Sequence, residues 1–367
     1  MQEQYMRRAI ELAKKGIGKV NPNPLVGAVI VKEGRIIGEG YHARYGELHA
    51  ERNAFANLTE DAKGAQMYVT LEPCCHHGKQ PPCTQAVIEH GISKVYVGSD
   101  DPNPLVAGKG IAILREAGIE VETQFLKEEC DALNPVFFHY ITTGKPYVVM
   151  KYAMTLDGKT ACHTGASQWV TGEMARAHVQ ETRNALTGIM VGVQTVIKDN
   201  PSLTCRIPDG RNPVRIICDS HLRTPMDCHI VQTAAEVPTI LATISEDQGL
   251  IEQYQEKQIQ VLQTREKEGR IDLNDLMERL GQQKIDSILL EGGGTLNQSA
   301  LQAGIVQHVQ TYIAPKFFGG SGIYSPVTGV GVDMPEQAWK CSNLQIRCFG
   351  EDVLLEYDVK HCLEKWY

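Results

Sequence analysis

The sequence lacks long hydrophobic runs, an excess of positive charge and low-complexity tracts. Its apolar runs are short, as in residues 25–31, whereas a membrane-spanning helix needs about 20 consecutive apolar residues. Acidic residues outnumber basic ones, 44 against 36, which argues against a strongly basic surface for nucleic acid. We therefore expect neither a membrane protein nor a nucleic-acid-binding protein.

A secretory signal is also missing, since no apolar stretch follows the first eight residues, and we expect a cytoplasmic protein. The 11 cysteines would then lie in a reducing compartment, where thiols and metal ligands are more common than disulfides. The chain has 367 residues, of which 42% are hydrophobic and 22% charged. This composition excludes a disordered chain or a coiled coil and fits about two globular domains.

Two series of alternating strand and helix patterns divide the chain. The first begins with helical spacing over 5–15 and a strand–turn–strand pattern over 26–40. The stretch Thr-Thr-Gly-Lys-Pro at 142–146, in which Gly and Pro end a helical pattern, then predicts a linker. We predict two α/β domains, residues 1–145 and 146–367, with helices flanking a mixed sheet in the first. Further strands are predicted at 67–71, 94–97, 147–153, 188–191, 214–218, 239–242 and 285–290, and further helices at 49–58, after 83, at 110–117, at 173–185 and up to 303.

One histidine and two cysteines in the first domain have the composition of a zinc site. His49, Cys74 and Cys83 supply the nitrogen and sulfur ligands that Zn²⁺ prefers, and three protein ligands leave a fourth position open, as in catalytic sites. Water bound there becomes acidic near neutral pH. Glu51 follows His49 by two residues at a predicted helix start, where it can move protons from water to a leaving amine. This constellation is typical of zinc deaminases of nucleobases.

The eight residues between Cys74 and Cys83 contain further candidate ligands. Cys75 adjoins Cys74, so its side chain should point elsewhere, and His76 and His77 are more consistent with contacts to substrate or to a partner loop. A single cysteine or histidine is more often structural than functional. The combination of residues, rather than any one of them, predicts the metal site.

The second domain has no Gly-x-Gly-x-x-Gly motif. Gly158, Lys159 and Thr160 resemble the end of a P-loop, but Ala153 stands where that motif needs its first glycine. A predicted strand at 285–290 is instead followed by a glycine turn and a helix, an arrangement that lets backbone N–H groups approach a phosphate. Taken alone, such a turn is more often structural.

Short motifs in the first domain include Asn-Pro-Asn-Pro-Leu-Val-Gly at 21–27, His-Ala-Glu at 49–51, Thr-Leu-Glu-Pro-Cys at 70–74 and Asp-Pro-Asn-Pro at 101–104. These motifs resemble the pyrimidine deaminase of the bifunctional riboflavin biosynthesis deaminase/reductase family. The spacing of the two cysteines distinguishes that family from cytidine and tRNA-adenosine deaminases, and Cys75 departs from the serine expected there. The resemblance implies a cytidine-deaminase-like, three-layer α/β/α domain with zinc, in which Asn23 helps to hold the pyrimidine ring.

Residues 151–159, 165–171, 192–195, 199–206 and 314–316 resemble the reductase half of the same family. The resemblance is weakest over about 224–280 and after 324. It implies a dihydrofolate-reductase-like α/β domain with NADPH as the hydride donor.

The family reduces an open-chain ribose, whose carbonyl oxygen needs a proton. Lys151 is the candidate for polarising or protonating that oxygen, and Glu291 is its candidate partner, because a charge inside an apolar run is costly alone. Arg183 and Arg206 suit the substrate phosphate, since guanidinium groups match phosphate oxygens. By resemblance, substrate is also contacted by Ser167, Leu203 and Glu291, and NADPH by Ala153, Trp169, Thr195, Asp199, Ser220, Gly293, Gly294, Thr295 and Leu296.

The resemblance implies a two-step reaction on a small pyrimidine ribosyl phosphate. The first step removes the 2-amino group of 2,5-diamino-6-(5-phosphoribosylamino)pyrimidin-4-one, and the second reduces the ribosyl chain with NADPH to give 5-amino-6-(5-phosphoribitylamino)uracil. We also expect a homo-oligomer. Two alternatives remain open: a nucleoside or tRNA deaminase fused to an unrelated reductase, and a structural zinc module with a nucleotide-binding regulatory domain. The first predicts a shorter cysteine spacing, and the second a closed site with four ligands.

Overall fold

The computed structural model describes residues 2–76, 80–321 and 324–360. The chain divides into two compact units, Met1–Gly144 and Lys145–Tyr367. Gly144 ends the last helix of the first unit in the left-handed conformation (φ 69°), which glycine adopts without strain. Among the described residues, no helix combines the length and the apolar character needed to cross a membrane.

A five-stranded sheet with the order β2-β1-β3-β4-β5 forms the centre of the first unit. Strands β1 and β2 pair as the predicted antiparallel hairpin, β1 and β3 are antiparallel, and β3, β4 and β5 are parallel. The elements of this unit are α1 (Gln2–Lys14), β1 (Gly27–Lys32), β2 (Arg35–Tyr41), α2 (Ala50–Ala56), β3 (Gln66–Leu71), α3 (Cys83–Glu89), β4 (Lys94–Ser99), α4 (Lys109–Glu116), β5 (Glu120–Glu122), α5 (Lys127–Asp131) and α6 (Pro135–Thr143).

Two apolar cores make the first unit a three-layer α/β/α structure. Met6 and Ile10 of α1 pack with Val29 on one face of the sheet, whereas Phe55 of α2 and Leu114 of α4 belong to the core on the other face. Burial of these alternating strand residues on both faces stabilises the sheet.

Glycines allow α2 to pack directly on strand β2. A Cβ atom added at Gly40 would lie 2.2 Å from the backbone nitrogen of Ala54, and one at Gly38 would lie 2.6 Å from the oxygen of that residue. Only glycine permits this approach. The contact fixes the start of α2, where two of the predicted site residues, His49 and Glu51, are found.

A nine-stranded sheet with the order β10-β9-β8-β7-β13-β6-β14-β16-β15 forms the centre of the second unit. The strands from β10 to β14 are parallel, and the β15–β16 hairpin adds an antiparallel edge. The elements are β6 (Tyr147–Thr155), α7 (Glu173–Ala185), β7 (Gly188–Gly192), α8 (Val193–Asp199), β8 (Val214–Cys218), α9 (His229–Gln232), β9 (Thr239–Thr243), α10 (Gln248–Glu256), β10 (Gln260–Gln263), β11 (Glu266–Lys267), β12 (Arg270–Ile271), α11 (Leu273–Gln282), β13 (Ser287–Leu290), α12 (Gly294–Gln302), β14 (His308–Ala314), β15 (Cys341–Phe349) and β16 (Asp352–Val359).

Helices cover both faces of the parallel part of this sheet. Leu276 of α11 and Ala300 of α12 belong to one core, and Val196 of α8 and Ile251 of α10 belong to the other. In such sheets ligands bind beyond the carboxyl ends of the strands. The carboxyl ends of the neighbouring central strands β7, β13 and β6 lie side by side. The residues that follow these strands include the predicted glycine turn.

Helix α6 was predicted only as a helical pattern without bounds, and the predicted linker at 142–146 begins inside its last turn. Pro135 occupies the first helical turn, where its missing N–H has no intrahelical acceptor to lose. The hydroxyls of Thr142 and Thr143 donate hydrogen bonds to the carbonyls of Phe138 and His139, 2.6 and 2.7 Å away, which lets polar residues continue the last turn.

Candidate active sites

The three predicted metal ligands converge in the first unit. His49 precedes α2, Cys74 follows β3, and Cys83 begins α3. His49 Nδ1 lies 3.5 Å from the Sγ atoms of both Cys74 and Cys83, and the three ligand atoms all lie within 4.8 Å of one another. Ligands of a tetrahedral zinc ion with bonds of about 2.0–2.3 Å are separated by about 3.5 Å. The donor types and their spacing therefore fit Zn²⁺.

The environment of Cys74 favours its thiolate form. The Cys83 thiol and His49 donate to its sulfur, and these hydrogen bonds lower the pKa of Cys74. The backbone N–H of Cys83 also donates to Cys74 Sγ, at 3.4 Å. A thiolate is the form that binds metal.

Glu51 lies in the first turn of α2 with only 3% of its surface exposed. Burial, followed by the nearby Cys74 charge, raises the pKa of its carboxyl group. A carboxyl group with a raised pKa accepts a proton more readily than an exposed one. This property matches the proton transfer that the sequence predicted for Glu51.

Glu51 and the metal ligands His49 and Cys74 line a cavity of about 310 Å³, and Asn23 lies on its wall. Asn23 Nδ2 lies 3.0 Å from His42 Nε2, and His42 Nδ1 lies 3.0 Å from the carbonyl oxygen of Leu48. Burial lowers the pKa of His42. Sequence analysis missed His42, because a histidine at the end of a hairpin has no distinguishing spacing.

The insert between the cysteines contributes His76 to the same cavity. Its Nδ1 atom is buried and has no hydrogen-bond partner among the described residues, so it is available to a ligand. Cys75 instead directs its thiol at the carbonyl of Leu105, 3.7 Å away, and is not part of the ligand group. His77 lies outside the described residues.

The Asp-Pro-Asn-Pro motif also reaches this cavity, through Asp101 and Asn103. Burial raises the pKa of Asp101 to about 6, and its carboxylate accepts a hydrogen bond from the Asn103 N–H at 2.8 Å. Buried Glu72 holds the following segment by accepting hydrogen bonds from the N–H groups of Gly108 and Ile111, at 3.0 and 3.2 Å. Glu72, in the Thr-Leu-Glu-Pro-Cys motif at 70–74, therefore holds the segment that follows the Asp-Pro-Asn-Pro motif at 101–104.

A cluster of one carboxylate and two cations forms the centre of the second site. Lys151 Nζ lies 3.6 Å from Glu291 Oε2, and Arg183 donates to both Glu291 oxygens, at 2.7 and 3.1 Å. Burial alone would raise the pKa of Glu291, but the charges of Arg183 and Lys151 outweigh it and lower that pKa to about 2. The predicted pair of Lys151 and Glu291 is present, and the cluster carries one net positive charge.

Arg183 donates more hydrogen bonds to the protein than a residue that only binds the substrate phosphate would need. Besides its two hydrogen bonds to Glu291, its Nη1 atom donates to the carbonyl of Thr204 at 2.9 Å. Burial on α7 explains this, because a guanidinium removed from water needs protein acceptors. Arg206 is exposed at the rim of the cavity, where a phosphate can reach it.

Lys151, Arg183, Arg206 and Glu291 line a cavity of about 840 Å³. The other predicted residues on its wall are Ala153, Ser167, Trp169, Thr195, Asp199, Leu203, Gly293, Gly294 and Thr295. Helix α12 begins at Gly294, and a Cβ atom there would lie 2.6 Å from Thr328 Oγ1. The glycine turn, the helix N-terminus and the size of the cavity fit a dinucleotide such as NADPH.

Ser220 and Leu296 do not line this cavity, in contrast to the other predicted cofactor contacts. The Ser220 carbonyl accepts hydrogen bonds from Thr243 Oγ1 and the Ile244 N–H, at 3.0 and 3.3 Å. Leu296 packs against the apolar core instead. Its position on α12, two residues after the helix start, directs it toward the sheet.

The two folds and their sites define the class of the protein as a zinc-dependent deaminase joined to an NADPH-dependent reductase. The family model for the cytidine and deoxycytidylate deaminase zinc-binding region matches residues 1–99, and the model for the RibD C-terminal domain matches residues 146–355.

Comparisons over nearly the whole chain are consistent with these matches. The riboflavin biosynthesis protein RibD of Actinobacillus pleuropneumoniae is 57% identical over 97% of this chain and 94% of its own, and that of Escherichia coli is 42% identical over 96% and 98%. A solved RibD structure from Acinetobacter baumannii has a TM-score of 0.86 at 35% identity and covers 97% of this chain and 98% of that chain. The solved deaminase/reductase of Thermotoga maritima has a TM-score of 0.84 at 40% identity, with the same coverage of both chains.

The chain belongs to the RibD family of bifunctional riboflavin biosynthesis enzymes. It deaminates the diaminopyrimidine ribosyl phosphate and reduces the ribosyl side chain of the product, with Zn²⁺ and NADPH as cofactors. The expectations for fold class, reaction and cofactors are thereby confirmed, and the substrates are small molecules.

Proposed function

We propose that the two reactions are divided between the two predicted domains, with deamination in residues 1–145 and reduction in residues 146–367; these bounds differ from those of the two compact units only at Lys145. The observation that carries this proposal is that each cavity is lined by residues of one unit alone. The first cavity contains Glu51 and the metal ligands, and the second contains the Lys151 cluster.

In the deaminase site, His49, Cys74 and Cys83 would hold Zn²⁺, which would supply a Lewis acid that makes water more acidic. Glu51 would take a proton from the water that adds to the ring carbon and give it to the amino group, which leaves as ammonia, as the burial of its carboxyl group allows. Asn23, held beside His42, binds the pyrimidine ring.

Three groups on the wall of the first cavity bind the remaining polar parts of the substrate. His76 offers a buried Nδ1 atom, and Asp101 and Asn103 offer a carboxyl group and an amide. A buried polar atom without a partner costs free energy until a ligand satisfies it. His76 Nδ1 is therefore available to form a hydrogen bond with the substrate.

In the reductase site, NADPH supplies the hydride for the carbonyl carbon. Lys151 donates a proton to the carbonyl oxygen, while Glu291 orients the ammonium group from 3.6 Å. Arg183 keeps Glu291 ionised and in place through two hydrogen bonds, and adds positive charge near the substrate. Arg206 and Ser167 bind the substrate phosphate, and Leu203 contacts the ribosyl chain.

The residues that would hold NADPH line the rest of the second cavity: Ala153, Trp169, Thr195, Asp199, Gly293, Gly294 and Thr295. Ser220 and Leu296, also predicted from resemblance, lie outside that lining. The N–H groups at the start of α12 would favour a phosphate group of the cofactor, since a helix N-terminus favours anions.

The experiment that tests the division combines product analysis with metal analysis on His49→Ala and Lys151→Ala. We expect His49→Ala to lose zinc and deamination while still reducing supplied 5-amino-6-(5-phosphoribosylamino)uracil. We expect Lys151→Ala to keep zinc and to accumulate that same intermediate without NADPH oxidation. Loss of both reactions in either properly folded variant would contradict the division.

We also propose a cytoplasmic homo-oligomer. The edge strand β15 exposes Leu344 and Ile346, 51% and 60% of their surfaces, and an apolar edge strand is a surface for pairing with another chain. A second copy of the chain can pair there antiparallel about a two-fold axis. Ile346→Lys should shift the molecular mass measured by light scattering toward the monomer, and an unchanged mass would contradict pairing at this edge.

The cysteines support the proposed cytoplasmic location. The free thiols of the described cysteines are consistent with a reducing compartment.

A further inference from the structure

We propose that Arg176 is a positioning residue for NADPH, which fixes the ring of Trp169 at the wall of the second cavity. The guanidinium carbon of Arg176 lies 4.7 Å from the centre of the Trp169 ring, and both side chains line the cavity. The inference rests on the proposed contact between Trp169 and NADPH.

Trp169 is unusual among the large apolar side chains because 57% of its surface is exposed beside a ligand cavity. An exposed indole ring has several rotamers available and loses conformational entropy when a ligand binds. Because Arg176 occupies one face of the ring, a planar ligand group can stack only on the other. The pair thus prepares Trp169 for binding before the cofactor arrives.

A second contact of Arg176 fixes the backbone that carries Trp169. Its Nη1 atom donates to the carbonyl of Thr171 at 2.6 Å, two residues after the tryptophan. Asp352 holds the next residue from strand β16, because its carboxylate accepts the Gly172 N–H at 2.6 Å. The segment is therefore anchored by α7 on one side and by β16 on the other.

The position of Arg176 on α7 is consistent with this role. Gln180 and Arg183 follow it by four and seven residues, and all three side chains line the cavity from one face of the helix. Gln180 Oε1 accepts the Arg206 N–H at 3.0 Å, so this face also orders the loop that carries Arg206. Arg176 extends an organised face of α7 to the cofactor end of the cavity.

The test measures the Kd for NADPH by isothermal titration calorimetry, and the reduction of supplied 5-amino-6-(5-phosphoribosylamino)uracil with NADPH varied, in Arg176→Met and Arg176→Lys; the Kd should rise with the KM. Arg176→Met keeps an unbranched side chain but removes both contacts, and we expect the KM for NADPH to rise about 3- to 30-fold. We expect kcat to stay within about threefold, because Arg176 does not touch the Lys151 cluster. Arg176→Lys keeps the charge without the planar fork and should give an intermediate KM.

Controls separate positioning from general stability. Deamination by the same preparation should be unchanged, which shows that the first unit is folded, and an unchanged unfolding curve by circular dichroism shows the same for the second. Arg347→Met is the matched variant, since Arg347 lies 5.7 Å from the centre of the Phe349 ring but does not line the cavity. Its KM for NADPH should equal that of the unmodified enzyme.

An unchanged KM for NADPH in Arg176→Met and Arg176→Lys would overturn the inference, as would a fall in kcat alone or a rise in the KM for the pyrimidine alone. Trp169→Ala separates this outcome from failure of the proposed cofactor contact. If Trp169→Ala raises the KM and Arg176→Met does not, only the role of Arg176 is wrong. If Trp169→Ala leaves the KM unchanged, the cofactor contact is wrong and the inference falls with it.

Discussion

In the first unit, the metal ligands come from a stretch of 35 residues between His49 and Cys83, and all three are electron-rich donors. In the second unit, Lys151 and Glu291 are 140 residues apart in the sequence and carry opposite charges. Because all three metal ligands are electron-rich, none of them can neutralise the charge of another, and the site needs a bound metal cation. Opposite charges stabilise one another before any ligand binds.

This difference predicts how each site responds to substitution. Removing a group from the metal site should abolish its chemistry and leave most of the protein's stability intact. Removing a group from the charged cluster should reduce both chemistry and stability, because a buried partner is left without its counter-ion. The predictions that follow test this contrast, from the largest expected effect to the smallest.

Glu51→Gln should produce the largest effect, because Gln cannot transfer a proton. We expect the rate of deamination to fall by about 10²–10⁴-fold, measured by ammonia release. Zinc content should remain one ion per chain, since Glu51 is not among the ligands. Full deaminase activity in a zinc-loaded Glu51→Gln enzyme would show that another group moves the proton.

Lys151→Met should come next, because it removes the proton donor while keeping the length of the side chain. We expect the rate of reduction to fall by about 10²–10³-fold, measured by NADPH oxidation with supplied intermediate. Deamination by the same chain should keep its rate. An equal loss of both activities would indicate a folding defect rather than a missing proton donor.

Glu291→Gln should lower both the stability of the second unit and the rate of the reductase reaction. It leaves Lys151 and buried Arg183 without a counter-ion, which should cost about 2–4 kcal/mol in the unfolding free energy of the second unit. The measurement is denaturant unfolding followed by circular dichroism. Glu278→Gln is the matched control, because Glu278 is 47% exposed and pairs at the surface, so its loss should cost less than about 1 kcal/mol. Equal costs for the two variants would contradict a stabilising role for the cluster.

The metal site could be predicted from the sequence because its chemistry depends on residue type and short spacing. The His49–Glu51 motif and the two cysteines needed no knowledge of packing to be recognised. His42 and His76 could not be predicted in the same way. Their contribution depends on where an irregular loop and a hairpin end meet in three dimensions.

Five strands of the second unit, β6, β7, β8, β9 and β13, were predicted because they form continuous apolar runs, whereas β10, β14 and the β15–β16 hairpin, with more polar residues, were not. Residues 214–218, for example, have the predicted bounds. The partners of Arg183 were harder to predict, because its contact with Glu291 spans 108 residues. Short elements over 224–280, such as α9 and the β11–β12 pair, gave no strong pattern.

The smallest predicted effect concerns pH and a second charged cluster in the same sheet. His308 Nδ1 lies 2.8 Å from Asp358 Oδ1, and Glu356 lies 3.6 Å from its other ring nitrogen, with Arg347 bound to Glu356. Burial alone lowers the pKa of His308, but the two carboxylates outweigh it and raise that pKa to about 9. The stabilisation is therefore complete below pH 6.5 and is lost as the pH rises through about 9.

His308→Gln tests whether the stabilisation by His308 falls as the pH rises. We expect the variant to be less stable than the unmodified enzyme by about 1–3 kcal/mol at pH 6, with most of that difference gone by pH 10. The measurement is denaturant unfolding at both pH values. A difference that grows with pH would contradict the charged form of His308.

The central claim, that each unit holds a complete site for one reaction, is tested most directly by mixing two inactive enzymes. Glu51→Gln and Lys151→Met are incubated together with the diaminopyrimidine substrate and NADPH, and the products are separated by chromatography. We predict that neither enzyme alone yields 5-amino-6-(5-phosphoribitylamino)uracil at an appreciable rate, whereas the mixture forms it through released intermediate. A mixture that stays inactive because one of the folded variants has lost both activities, measured separately with supplied substrates, would contradict the claim.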